Sequence, residues 1–91
     1  MENDESYKEQ VKELTHFMEQ LEANPGVPKN VKRLISEAKA KLNDESEPDL
    51  DIRVSTAVYL LEEAGEDINM PMHARTQIWT ILSGLERLKH G

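Results

Sequence analysis

Two short stretches hold the side chains best placed for chemistry in this chain: Gly26-Val27-Pro28-Lys29-Asn30-Val31-Lys32-Arg33 and Ile68-Asn69-Met70-Pro71-Met72-His73-Ala74-Arg75. Each sets a proline beside basic residues. Proline suits the first turn of a helix, because its φ is already helical and its missing N–H would have no intrahelical partner there. A helix start offers free N–H groups and the positive end of the helix dipole. Lys29, Lys32 and Arg33 at one start, with His73 and Arg75 at the other, form a candidate anion contact for a phosphate, an acidic peptide or an RNA backbone. Their plainer role is pairing with Glu13, Glu19, Glu62 or Glu63 on neighbouring helices, which adds little stability at a surface.

Other chemistry has less behind it. Glu13-Leu14-Thr15-His16 is a Glu-x-x-His pattern, but di-iron bundles use two such motifs and two further carboxylates. At about 100° per residue His16 lies opposite Val11, Leu14 and Met18, so it points to water. The acidic run from Asp44 to Asp51 is rich in oxygens that suit calcium. It lacks the glycine of a sharp binding loop, and Pro48 interrupts the register. No serine or threonine stands in a nucleophile-elbow context, and no glycine-rich phosphate loop exists. His73 is the best single candidate for proton transfer, although a histidine near a helix start more often caps the helix or faces solvent. The absence of cysteine excludes a disulfide framework, thiolate catalysis and cysteine-ligated zinc. The expectation is a protein that is not an enzyme, with no catalytic residue, metal or cofactor.

The elements that position these residues follow from apolar spacing. Tyr7, Val11, Leu14, Met18 and Leu21 mark a first helix. Ser6 and Glu9 are in capping-box relation before it, and it is expected to end near Ala23, ahead of Asn24-Pro25-Gly26. Val31, Leu34, Ile35, Ala38 and Leu42 mark a second. Leu50, Val54, Ala57, Val58, Leu61 and Ala64 mark a third, stopped near Gly65. Ala74, Ile78, Ile81, Leu82, Leu85 and Leu88 mark a fourth, opened by Pro71. No period-2 segment competes as a strand.

Shifting the first half by 43 positions superposes the two proline stretches without a gap. Tyr7 falls on Leu50, Leu14 on Ala57, Met18 on Leu61, Val31 on Ala74, Ile35 on Ile78 and Leu42 on Leu85. The chain reads as two copies of one helical hairpin, at about 6–43 and about 48–90. Two units are too few for an open solenoid, so they are expected to pack face to face as an all-α, compact four-helix bundle, a single domain over residues 1–91. The starts of helices 2 and 4 are expected side by side.

Val27-Pro28-Lys29-Asn30-Val31-Lys32-Arg33 and Asn69-Met70-Pro71-Met72-His73-Ala74-Arg75-Thr76 resemble the two signature segments of a small archaeal group, uncharacterised protein family 0147. Lys29 and Lys32 stand where that pattern has arginine, which keeps the charge and loses the bidentate fork. The resemblance spans essentially the whole chain and implies a cytoplasmic, all-helical bundle. The family has no assigned activity, so no catalytic residue follows from it.

The 91-residue chain has net charge −7 and 32% charged residues, which argues against nonspecific wrapping of nucleic acid. The acidic start MENDESYKEQ is not a signal peptide, and no apolar run approaches the ~20 residues of a membrane span. A cytoplasmic location fits both.

The two hairpins differ on their backs. Ile52 and Tyr59, seven apart on helix 3, lie about 180° from its apolar stripe, and Met72 and Trp79, seven apart on helix 4, lie about 140–160° from Ala74. Their counterparts 43 positions earlier are Glu9, His16, Lys29 and Ser36. Exposed Trp, Tyr, Ile and Met mark protein contacts. The sequence therefore favours an interaction module whose second hairpin meets a second copy of the chain as a homodimer, or another protein. The alternative is an accessory protein that contacts an anion or RNA backbone through its basic end.

Overall fold

Three connections of one design turn the chain. Asn24, Asp44 and Asp67 each accept, through Oδ1, the backbone N–H two residues on, at Gly26, Ser46 and Asn69, with distances of 2.8, 3.0 and 2.8 Å. The carbonyl of each also accepts from the N–H three residues on, at Val27, Glu47 and Met70. Asparagine and aspartate suit this place because their short polar side chains mimic a backbone turn. A proline stands four positions after each, at Pro28, Pro48 and Pro71. The first and third prolines lead directly into a helix. At the middle connection Asp49 intervenes as an N-cap, its carboxylate accepting from the Asp51 N–H at 2.9 Å.

The computed structural model describes the backbone of residues 4–90 and the side chains of residues 7–89. Its four helices are α1 (Asp4–Glu22), α2 (Lys29–Leu42), α3 (Leu50–Gly65) and α4 (Met72–His90), with no strand among the described residues. α1 begins at Asp4, so Ser6 lies inside its first turn instead of ahead of it. The side chain of Ser6 lies outside the described residues.

The helices form a ring: α1 packs on α2, α2 on α3, α3 on α4, and α4 on α1. The diagonal pairs do not pack directly. The result is an all-α four-helix bundle measuring 42 × 22 × 19 Å. Its core is entirely apolar among the described residues, with Met18, Leu21, Ile35, Leu42, Leu61, Ile78, Ile81 and Leu85 fully buried. Leu34, Leu50, Tyr7 and Val11, which the periodicity places in the stripes, sit half-buried at the core margin. In α1 only the C-terminal half is sealed, through Leu14, Met18 and Leu21.

One close approach is absent from the apolar pattern. A Cβ on Gly84 would lie 2.7 Å from Cδ2 of Leu14, so Gly84 lets α4 approach α1.

Positions 43 apart are buried alike: Leu14 and Ala57, Met18 and Leu61, Ile35 and Ile78, Leu42 and Leu85. The ends of α1 and α3, and the starts of α2 and α4, keep the same 43-residue spacing. The middle connection shares the Asx-x-x-x-Pro design without belonging to that register. Common turn chemistry is therefore one sufficient cause of the matched prolines.

Candidate functional site

The basic end is assembled less simply than the sequence suggests. α2 and α4 start at the same end but stand on a diagonal, so their N-termini are not adjacent neighbours. The loops close the gap: Cγ of Pro71 lies 3.2 Å from where a Cβ on Gly26 would be. The Asn24 amide donates to Nε2 of His73 at 3.0 Å, and the Asn30 amide donates to Oδ2 of Asp67 at 2.9 Å. Asn24 and Asp67, like Asn30 and His73, are 43 positions apart, so these two bonds are equivalent clasps between the hairpins. Oδ1 of Asn24 already takes the Gly26 N–H, which turns its NH2 toward the ring and makes Nε2 of His73 the acceptor.

Arg75 is also engaged, donating to the Asp67 carbonyl at 2.8 Å. The Asn30 bond, then the Asn69 N–H, hold the Asp67 carboxyl below its ordinary range against slight desolvation, with a lesser contribution from Arg75. Lys29 and Arg33 are exposed and Lys32 is half-buried. The C-terminal part of α3 brings exposed Glu62 and Glu63 to the same end, with Glu66 just beyond, and no basic residue lies in its last turn. This end therefore has mixed sign. An open groove lies elsewhere, between the N-terminal half of α1 and the α2–α3 loop, with Tyr7, Val11, Leu42 and Pro48 among charges of both signs.

The outer seam of the first hairpin is closed by a polar clasp. Glu22 at the end of α1 accepts from Nζ of Lys39 at 2.7 Å and from the Ser36 hydroxyl, and Lys39 also lies 3.6 Å from Glu19. Partial burial works to raise the Glu22 carboxyl, but the Lys39 bond, the Ser36 bond and the Lys39 charge outweigh it and hold it below its ordinary value. The Glu22 bond pushes Lys39 upward, against a smaller desolvation effect.

The second hairpin has no such clasp. The positions equivalent to Glu22, Ser36 and Lys39 are Gly65, Trp79 and Leu82. The indole stands where the serine hydroxyl closes the first hairpin. Trp79 is 60% exposed, Tyr59 69%, Ile52 50% and Met72 83%. All four lie on the outward sides of α3 and α4. Tyr59, six residues before the end of α3, and Trp79, seven after the start of α4, stand level on the antiparallel pair.

The helix segments that carry Tyr59 and Trp79 are uncharged, with Glu62 and Glu63 one turn beyond Tyr59 and Asp51 and Arg53 flanking Ile52. Residues 54–61 and 76–85 contain no Asp, Glu, Lys or Arg, in a chain with 32% charged residues. The polar residues there, exposed or half-exposed, are Ser55, Thr56, Thr76, Gln77, Thr80 and Ser83. Three of them have spent their hydroxyl protons on their own helices. Thr56 donates to the Ile52 carbonyl at 2.9 Å, Thr76 to Met72 at 3.1 Å and Thr80 to Thr76 at 3.1 Å. Such donors keep their bonds when water leaves the surface, so desolvation of this face costs less than its composition suggests. Ile68, in the α3–α4 loop, is 89% exposed. Helical spacing could not flag it, because it lies between helices.

The comparisons with known proteins agree on the family. The model of the uncharacterised protein family UPF0147 matches residues 1–88. A UPF0147 protein of Thermoplasma acidophilum is 41% identical over 76 residues, which cover 84% of this chain and 85% of that one. One from Methanosarcina mazei is 36% identical over 86 residues, covering 94% and 89%. Among solved structures, a UPF0147 protein from Thermoplasma acidophilum superposes with a TM-score of 0.82 at 38% identity, covering 89% of this chain and 94% of that one. A protein of unknown function superposes at 0.80 with 38% identity, covering 85% and 86%. Shared sequence and shared shape over nearly the full length place this four-helix chain in uncharacterised protein family UPF0147.

Proposed function

We propose that the chain is a non-enzymatic interaction module whose outer α3–α4 face docks against a second copy of itself. The observation that supports this best is the uncharged window around Trp79 and Tyr59. A bundle helix normally keeps its outer side wet and charged, and α1 does so with Lys8, Glu9, Lys12, Glu13 and His16 exposed or at the rim. Charge depletion with aromatic enrichment is the composition of an interface centre. Ile52, Tyr59, Met72 and Trp79 together leave on the order of 500 Å² in water, so two facing copies reach about 1,000 Å², the lower bound of a specific interface.

Sedimentation velocity tests the proposal. The wild type is expected to dimerise at micromolar concentration and to remain dimeric in high salt, because apolar burial is not screened. Trp79→Glu with Tyr59→Lys is expected to sediment as a folded monomer. A wild type that is monomeric at high micromolar concentration refutes self-association, and a foreign protein then becomes the occupant to seek.

The second reading is an anion or RNA-backbone contact through Lys29, Lys32, Arg33, His73 and Arg75. It draws support from the convergence of two helix starts with no acidic residue in either first turn. Against it stand the internal bonds of His73 and Arg75 and the glutamates of α3 at the same end. Its signature is polyanion binding that weakens steeply with salt and is lost in Lys29→Glu/Arg33→Glu.

A further inference from the structure

We infer that the loop end of the bundle is a pH-sensitive joint, in which the Asn24–His73 bond ties the two hairpins together only while the imidazole is neutral. Asn24 has one amide to serve two contacts. Its Oδ1 accepts the Gly26 N–H at 2.8 Å, which shapes the α1–α2 turn, and its Nδ2 donates to Nε2 of His73 at 3.0 Å. A neutral imidazole offers one bare nitrogen, whereas an imidazolium offers two N–H groups and no acceptor. On protonation two donors meet at that contact. Turning the amide over to present Oδ1 to the ring would only set its NH2 against the Gly26 N–H. Either the clasp or the turn is lost, whichever way the amide lies.

The other clasp responds in a lower range. Asp67 uses Oδ1 for the Asn69 N–H and Oδ2 for Asn30, at 2.8 and 2.9 Å, both as acceptors. The Asn30 bond, ahead of the Asn69 N–H, holds its carboxyl below the ordinary value. That contribution is complete above the ordinary carboxylate value and is lost only as pH falls through the lower folded one. Acidification therefore opens the joint in two steps, at His73 first and at Asp67 last.

No direct partner favours the imidazolium: among the described residues no carboxylate forms an ion pair with His73. On α4, Arg75 lies two positions on, and the first turn holds no acid, so the positive end of the helix also disfavours a cation there. From α1, Glu19 and Glu22 are turned to Lys39. From α3 and its loop come Glu62, Glu63 and Glu66, with Asp67 bound to Asn30. From α2 come Lys29, Lys32 and Arg33. Both signs are present at this end, so the contact with Asn24, and not the net field, sets the sense of the response.

Amide exchange of the full chain, followed by NMR from about pH 8 to pH 5 and corrected for intrinsic rates, tests the joint. Val27 donates its N–H to the Asn24 carbonyl and Gly26 to the side chain, so both amides report on this turn. Their protection relative to Ile35 and Ile78 in the core is expected to fall roughly two- to tenfold, the weight of one hydrogen bond, as the His73 ring titrates. His73→Gln is expected to remove the change. Asn24→Asp is expected to reverse it, because Oδ1 can keep the turn, as it does in Asp44 and Asp67, while the second oxygen accepts from the imidazolium. Unchanged relative protection in the wild type across the titration of the ring overturns the inference, whether or not the variants fold. The same fall in His73→Gln, or in Asn24→Asp, also overturns it.

Discussion

Glu22 ties α1 to α2 by accepting from both Ser36 and Lys39, and its environment gives the bond a definite pH dependence. Its folded carboxyl titrates below the ordinary value of 4.5. The associated stability is therefore complete above that value and is lost as pH falls through the lower folded one. Lys39 is shifted upward, so the same pair also weakens as pH rises through the raised lysine value. Glu22→Gln is expected to cost roughly 1 kcal/mol at neutral pH, a modest amount because both side chains are partly solvated. Urea unfolding of wild type and variant should show that gap closing toward pH 3. None of the three clasp residues stands out in the sequence, because an acid at a helix C-terminus carries no signal until its neighbour is known. Ile52, Tyr59, Met72 and Trp79 were legible for the opposite reason: an apolar side chain opposite an apolar stripe is visible on one helix alone.

The elements were readable where their boundaries use local chemistry. The prolines at 28 and 71 and the asparagine before the first turn predict the helix starts and stops to within a residue or two. The shared Asx-x-x-x-Pro design of all three connections was present in the chain but masked by the stronger 43-residue register, which leaves the middle copy unmatched. Gly84 shows what lay beyond local reading. Glycine inside a helix is ordinarily a weakness of about 1 kcal/mol, yet here its missing Cβ makes room for Leu14. Gly84→Ala is expected to destabilise by about 1–2 kcal/mol despite its better helix propensity, and Leu14→Val in the same chain should recover part of that, as denaturant midpoints would show. Packing is also uneven along α1. Tyr7 and Val11 are only half-buried, whereas Leu14, Met18 and Leu21 are sealed. Amide hydrogen exchange is expected to be fastest in the first half of α1, with α3, which packs most extensively on its two neighbours, the slowest.

Two helical hairpins close one core, and each holds the other at the loop end through bonds 43 positions apart, Asn24 with His73 and Asn30 with Asp67. They diverge on their outer sides, where the first is clasped by charges and the second is left with an aromatic face. That difference, more than the core, is where the account locates function. The bundle architecture was legible because it depends on apolar spacing. The diagonal placement of α2 and α4 was not, because ring order is set by packing between helices and leaves no trace in a single helix. The chain contains one tryptophan, so Trp79 reports directly on its own face. The most direct measurement is its fluorescence across a dilution series in high salt. The account predicts emission that shifts to shorter wavelength as concentration rises through the micromolar range, with no such shift in Tyr59→Lys. Emission that remains that of a wetted indole at every concentration would contradict it.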